Sequence, residues 1–576
     1  MESRYDMQEM MDFVFNSNST ANTEIGNATG TLYFENGTYT VKTRDGAVYA
    51  VDGALPANCK EGDKLAFIIS GGAARVTDNF GSSAEAEPNL KALLRDYGLD
   101  TPFSADALMQ AKETTFTEIT AHMANRTDLR GKTIITLSET ENSRNECGFS
   151  VELDGENHYI LGIHTTDVAE FVDKNSALEN EIFTRCKTAS LPAKDIPMLP
   201  DSITKGPCFL EVGEDRLAIS YFLTVDEEGK VLSFSFCESV IKTAANCLFS
   251  EIEALFLDYD TSAIMPLRKA YASVMPTIAN MFNLGAALQN ARVLRGGADI
   301  DKAERHFVYS RHGGRPLGVV FRKDSDPKRL VREFLSVAGQ QLARYLHENN
   351  IPALYRIQSE PSAEAYDSFR RHAQLIGVDT EPYTNDRLFA GVAECIRGLR
   401  EEELLLCELR KALPETDFAD APLKHFIHNT DMYTRFAYPL NRCADFATQR
   451  IVKAVIKGNP DMLMLKEKVA LAISCARNES KINKCEGFAE DLIALDCLKR
   501  DRNKTYGGLV LSVDAENAKI LLDNGCIAVL SLANAAKISV EEEKFVFDEN
   551  SYSYGSDITV RFLDADYETA TLYVGI

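Results

Sequence analysis

A chain of 576 residues is too long for one hydrophobic core and implies three or four domains. With 45% hydrophobic and 26% charged residues it reads as an ordinary folded protein, which excludes a disordered class, and no apolar run approaches the roughly 20 residues that span a bilayer. The net charge of −24 disfavours a general polyanion binder, because an acidic surface repels phosphates at long range.

Residues 1–25 are polar and read as a tail with a short helix. The start, MESRYDMQEMMDFVF, lacks the basic and apolar regions of a secretory signal. Residues 26–80 alternate β-branched and aromatic residues around Asn36-Gly37 and Asp45-Gly46, the pattern of hairpins in a small β-barrel. Residues 81–130 form a helical linker, in which P-N-L-K-A-L-L-R-D-Y-G-L is an amphipathic helix stopped by Gly98. Residues 131–500 make an α/β body whose second half is helical, as in R-L-V-R-E-F-L-S-V-A-G-Q-Q-L-A-R-Y-L. Residues 501–576 return to strands, with Asp523-Asn524-Gly525 as a hairpin turn. The 13 cysteines are odd in number and include no C-x-x-C pair. Reduced thiols of a cytoplasmic protein are expected, without a disulfide framework or zinc site.

Charge is unevenly spread. From Arg292 to His372 there are 15 Lys/Arg against 10 Asp/Glu, interleaved with Phe307, Tyr309, Phe321, Tyr345 and Tyr355. Such a mixture suits unpaired bases and phosphates, although each residue alone is as readily a solvated helix face or a core aromatic. From Thr505 to Ile576 there are 12 Asp/Glu against 4 Lys/Arg, which points to a structural plug or a protein-binding module rather than a nucleic-acid grip.

The segment Leu161–Ser220, LGIHTTDVAEFVDKNSALENEIFTRCKTASLPAKDIPMLPDSITKGPCFLEVGEDRLAIS, resembles the core of the RNB domain of ribonuclease II and ribonuclease R. Ala353–Ile357 (ALYRI), Arg295–Asp301 (RGGADID) and Tyr433–Lys457 (YTRFAYPLNRCADFATQRIVKAVIK) agree in the same order. The resemblance implies an α+β multidomain fold: a cold-shock-type OB barrel, a central α/β RNB domain and an S1-type OB barrel. One departure is architectural, since the family usually carries two N-terminal cold-shock-type domains and this chain has room for one.

The resemblance also implies a site. The family loop T-I-D-x₅-D-x-D-D-[AG] holds two Mg²⁺ ions, because hard cations take oxygen ligands and paired metals activate water and stabilise the leaving oxygen. Threaded on Thr136-Leu137, Ser138 takes the first aspartate position, Arg144 the second, Glu146 the third and Cys147 the fourth. Four acids become one acid offset by one guanidinium, so Mg²⁺ or Mn²⁺ is not expected to bind, and Glu146 is the only candidate ligand. Glu139 and Glu141 lie in the same stretch at the wrong separations to replace the missing acids. The family motif S-P-I-R-[RK]-Y-x-D supplies an arginine to the scissile phosphate; here the run is Tyr438-Pro439-Leu440-Asn441-Arg442-Cys443-Ala444-Asp445, with Asn441 at that position. The stacking tyrosine of Y-L-P is Ser190, and Glu479 in C-A-R-N-E-S-K retains the glutamate of C-S-x-x-E-R-R. His164 and Asp167 are expected to brace a strand-to-helix turn, and Arg442 and Asp445, three apart on a helix, to pair with each other. Cys147 has no nearby histidine to activate it as a nucleophile.

The expectation is therefore an RNB-type protein that binds single-stranded RNA, or a protein partner, and does not cut. RNA contacts fall to Arg442, Arg295, Arg311, Arg315, Arg322, Tyr355 and Arg356. Membrane and DNA are not expected partners. Two alternatives stay open: an active 3′-to-5′ exoribonuclease releasing nucleoside 5′-monophosphates from an atypical metal site, and a protein-interaction scaffold.

Overall fold

The computed structural model describes residues 26–576 apart from 116–118, 141–142, 144, 193, 258–260, 298–302, 311–313 and 459. The helix anticipated before residue 25 lies outside the described residues. Strands β1 (Gly26–Glu35), β2 (Thr38–Lys42), β3 (Val48–Val51), β4 (Asp63–Ser70) and β5 (Ala73–Ser82) close into a barrel in the order β1-β2-β3-β5-β4. The β1–β2 hairpin turns where Asn36 and Gly37 both take positive φ, 52° and 81°, the geometry that matches strand twist in a two-residue turn. Alternate residues Leu32, Val41, Leu65 and Phe67 then point inward and fill the barrel. The helix Ala86–Asp96 follows and ends at Gly98, whose φ of 66° suits an αL stop.

The central sheet holds β6 (Thr127–Asp128), β7 (Ile134–Ser138), β8 (Cys147–Leu153), β9 (Tyr159–Thr166), β10 (Asp215–Val225) and β11 (Val231–Leu248). Its order is β10-β9-β8-β7-β11-β6, and β10 also pairs with β11, so five strands form a ring. β11 runs parallel to β7 and β6; the remaining pairs are antiparallel. His164 is braced inside this ring. Its Nε2 lies 3.0 Å from Ser150 Oγ and its Nδ1 2.7 Å from Ser220 Oγ, and burial pulls it down to about 3. Two two-stranded antiparallel sheets, β12 (Ala303–Val308) with β13 (Gly318–Lys323) and β14 (Tyr355–Ile357) with the distant β15 (Asp417–Ala419), lie among the helices of the second half.

The helix Asp326–Glu348 lays Phe334, Ala338 and Leu342 against the sheet, with the Phe334 and Phe149 rings 6.2 Å apart. Helices Cys443–Ile456, Met462–Ala476 and Glu479–Arg500 complete the body. At the C-terminus β16 (Thr505–Val513), β17 (Asn517–Leu522), β18 (Ile527–Ser531), β22 (Asp557–Asp566) and β23 (Thr571–Gly575) close a second barrel. Between β18 and β22 lies a small sheet of β19 (Lys537–Ser539), β20 (Lys544–Phe547) and β21 (Asn550–Ser553). Among the described residues no helix is long and apolar enough to cross a membrane.

One glycine fixes how the long helix meets the 433–434 segment. A methyl at Gly339 would overlap the Thr434 carbonyl and stand 2.5 Å from the Tyr433 ring. The Thr434 N–H donates to the Gly339 carbonyl at 3.3 Å, so the two backbones are held together there. Gly339→Ala is therefore expected to lower unfolding free energy by roughly 1–3 kcal/mol despite alanine's better helix propensity. A thermal or denaturant melt in which the variant is as stable as the parent would refute this close approach.

Candidate functional site

β7 and β8 are an antiparallel pair, with Ile135 opposite Phe149 and Thr136 opposite Gly148, so the loop between them starts at Ser138 and ends at Cys147. Ser138 is buried. Its Oγ lies 3.1 Å from the Thr140 carbonyl and 3.3 Å from Asn246 Oδ1, and Asn246 also accepts from Thr136 Oγ1 at 3.1 Å. Hydroxyls and one amide thus fill the space at the first position of the loop. Arg144 and Glu141 lie outside the described residues.

Glu146 is 2% exposed. Its Oε2 accepts the Leu440 N–H at 2.7 Å and its Oε1 accepts the Asn441 side-chain amide. Burial outweighs these two donors and, with the Asp445 carboxylate nearby, pushes the Glu146 carboxyl up to about 8. Cys147 is buried opposite Thr165 of β9, and burial together with the Glu146 and Asp445 charges drives its thiol well above the usual range. That is the opposite of an activated nucleophile. Glu139 is occupied as well: Lys328 Nζ sits 2.9 Å from its Oε1 and also reaches Glu304 at 3.3 Å and Asp324 at 3.0 Å.

The 438–445 turn is pinned from behind. Asp445 accepts the Tyr438 N–H at 3.0 Å and Arg435 Nε at 3.2 Å. Arg435 Nη1 continues to Glu479 Oε2 at 2.9 Å, and Arg356 Nη1 approaches the same oxygen at 3.4 Å. Although Glu479 is buried, the charges of Arg435, Arg356 and Arg442 hold its carboxyl below the usual value. The Arg442–Asp445 pair expected from helical spacing does not form. Asp445 lies in the first turn of the helix Cys443–Ile456 and faces back into the turn, so Arg435 takes it, while Arg442 lies over the Tyr438 ring at 5.1 Å. The Thr188 N–H donates to the Asn441 carbonyl at 2.9 Å, which ties the segment bearing Ser190 to the same turn. The Ser190 N–H in turn donates to Glu486 at 2.7 Å.

Beside Glu479 opens a cavity of 670 Å³ whose lining includes Arg356, Arg477 and Lys484 and also the acids Glu415 and Asp417, which pair with Lys484 and Arg477. Arg356, Arg442 and Glu479 are thus brought together, with Arg435 added. Tyr355 corrects the sequence expectation: it is 2% exposed, with its side chain in the core, and offers no face to a base. In ALYRI the strand alternation turns Tyr355 inward and leaves Arg356 for the cavity. Arg295 and Arg322 are exposed, Arg315 is exposed and 3.5 Å from Glu87, and Arg311 lies outside the described residues. Asn246, Lys328 and Arg435 carry much of this arrangement and gave no local signal; only Arg435 stands inside a motif-bearing run.

The implied metal pair does not fit these residues. The loop contributes one described inward-facing acid, Glu146, and both of its oxygens already accept protein hydrogens. Among the described residues one carboxylate trio, Asp167, Glu170 and Glu238, has ligand atoms close enough for a cation. Lys453 Nζ fills it, at 2.5, 2.6 and 3.0 Å from the three, and Arg126 stands 2.8 Å from Asp167. Asp167 thereby braces the turn after β9, as expected of it.

The RNB domain family model matches residues 126–458. Ribonuclease R of Thermotoga maritima is 26% identical over 491 residues, which cover 83% of this chain and 67% of that protein. The structure of Mycoplasma genitalium RNase R in complex with ribose methylated single-stranded RNA superimposes with a TM-score of 0.81 at 18% identity, covering 96% of this chain and 89% of that one. Yeast Ssd1, described as a pseudonuclease, superimposes at 0.69 with 17% identity, covering 92% of this chain and 68% of its own. With the family model running through the β7–β8 loop, the central sheet and the 438–445 turn, the chain belongs to the RNB-domain family, related to ribonucleases II and R.

Proposed function

We propose that this chain is an RNB-domain protein that binds RNA without hydrolysing it. The observation that carries the reading is the coordination of Glu146 by the Leu440 N–H and the Asn441 amide. At a two-metal site the acids must be charged and free toward the cation, and a guanidinium must face the departing phosphate oxygen. Here the retained acid is buried, favours its neutral form up to about pH 8, and is bonded to the residue that replaces the arginine. Neither half of the reaction has its reagent.

RNA binding is supported by the likeness to a ribonuclease R solved with single-stranded RNA, and by the surviving Arg356–Arg435–Glu479 group beside a 670 Å³ cavity. The likeness to Ssd1 gives precedent for this fold without nuclease chemistry. Pure protein mixed with 5′-labelled single-stranded RNA and Mn²⁺ is expected to retard the RNA on a native gel and leave it full length on a denaturing gel. Ladder-like shortening that Glu146→Gln abolishes would favour the atypical-nuclease alternative, shortening that survives it would overturn the assignment of Glu146 to the site, and no retardation at all would favour the protein scaffold.

The buried acid also sets a pH dependence of stability. Glu146 titrates near 4.5 in the unfolded chain and near 8 when folded, so the folded state holds the extra proton between those values. Stability from this group is full at low pH and is lost as pH rises toward 8. Glu146→Gln cannot ionise, and Asn441 can rotate its amide to accept from it. The variant is expected to be more stable than the parent at pH 8.5 by roughly 1–3 kcal/mol and close to it at pH 5. Denaturant unfolding at the two pH values that gives the same difference at both would show that Glu146 ionises normally.

A further inference from the structure

One face of the N-terminal barrel is covered by acids from elsewhere in the chain. On β1, Thr29 Oγ1 donates to Asp96 at 2.8 Å and Thr31 Oγ1 donates to Glu568 at 3.1 Å. Lys64 stands opposite Thr31 on β4 and is 0% exposed, with its Nζ 2.7 and 2.6 Å from the two Glu568 oxygens. Arg44 lies 4.4 Å over the Phe488 ring, and its Nε and Nη2 are buried with no hydrogen-bond partner. Tyr33, next along the same face of β1, feels the charges of Glu568 and Asp566. An ammonium, a guanidinium, two hydroxyls and an aromatic ring therefore share one barrel face, opposite three carboxylates.

That set of side chains is what a barrel offers to a ribose–phosphate strand: cations for phosphates, hydroxyls for phosphate or sugar oxygens, a ring for a base. Here the carboxylates stand where phosphates would. Glu568 is held in place by its own turn, since its N–H donates to Asp566 Oδ1 at 2.8 Å and Ala570 closes the turn at a φ of 51°. The covering domain is itself strongly acidic, with 12 Asp/Glu against 4 Lys/Arg between Thr505 and Ile576. Lys64 is fully buried, so lifting Glu568 away would strand its ammonium unless another anion takes the place of the carboxylate, which a phosphate of a polyanion can do.

We propose that the 566–570 turn of the C-terminal barrel is a built-in phosphate mimic that masks a single-stranded RNA face on the N-terminal barrel, and that RNA binds there by displacing it. The proposal rests on the RNA-binding reading above. Exchange requires the barrels to separate, so high salt and RNA both favour the open form, and neutralising Glu568 lowers the barrier to either.

The test uses the full chain and a fluorescein-labelled single-stranded RNA, read by anisotropy, with hydrogen exchange of segments 26–35 and 63–70 measured in parallel. Glu568→Gln, which keeps the shape of the side chain, is expected to tighten Kd about fivefold and to speed exchange in both segments. Adding Asp96→Asn should tighten binding further. Glu568→Lys gives a stronger opening if it folds; if it does not, the glutamine variants carry the test. Faster exchange with unchanged or weaker RNA affinity would show that the uncovered face is not an RNA surface. Unchanged exchange would show that Glu568 does not hold the barrels together. If the parent binds RNA and the variants bind no better, only the mimic is refuted; if none binds, the RNA-binding reading fails with it.

Discussion

A carboxylate taken out of water must find hydrogen-bond donors or keep its proton, and the neighbourhood of Glu146 is built around that requirement. The donors come from one turn, at Leu440 and Asn441, and that turn is itself held by Asp445, Arg435 and Glu479 in succession. A single chain of polar contacts thus runs from the start of β8 to the cavity beside Glu479. Buried networks of this kind are costly where a member is left over, and here Arg435 Nη2 and Glu479 Oε1 are buried with no hydrogen-bond partner.

The residues around Glu146 complement one another in charge. Asn441 is half-buried against Glu146, and its neutral amide leaves that buried acid without a countercharge, so the acid keeps its proton. Had the acids of the β7–β8 loop stayed with Asn441, their mutual repulsion would have needed a cation. Asparagine donates one neutral hydrogen bond to one remaining acid, and Ser138 with Asn246 closes the other end with neutral groups.

Elements with local signatures were legible in the sequence. Asn36-Gly37 and Asp523-Asn524-Gly525 turn hairpins because their φ values need small or amide side chains, and Gly98 stops its helix for the same reason. The substituted loop could be placed because a strand pattern and a family frame bracket it. Pairings between distant residues were not legible. Lys328 with Glu139, Lys64 with Glu568 and Arg435 with Asp445 depend on how sheets and helices meet, and helical spacing alone assigned Asp445 to the wrong arginine. Tyr355 failed for a related reason: an aromatic beside an arginine looks like a stacking pair until strand alternation sends the two to opposite sides.

The treatment of acids elsewhere in the fold points the same way as the loop. The carboxylate trio of Asp167, Glu170 and Glu238 has the spacing of a cation site, and the cation it holds is the ammonium of Lys453. Glu479 is neutralised by Arg435 and Arg356, and Glu568 by Lys64. The chain carries a net charge of −24, and these acids are matched by its own lysines and arginines. The cavity beside Glu479 follows the same rule, since its acids Glu415, Asp417 and Glu479 are met by Lys484, Arg477 and Arg356 of the same lining.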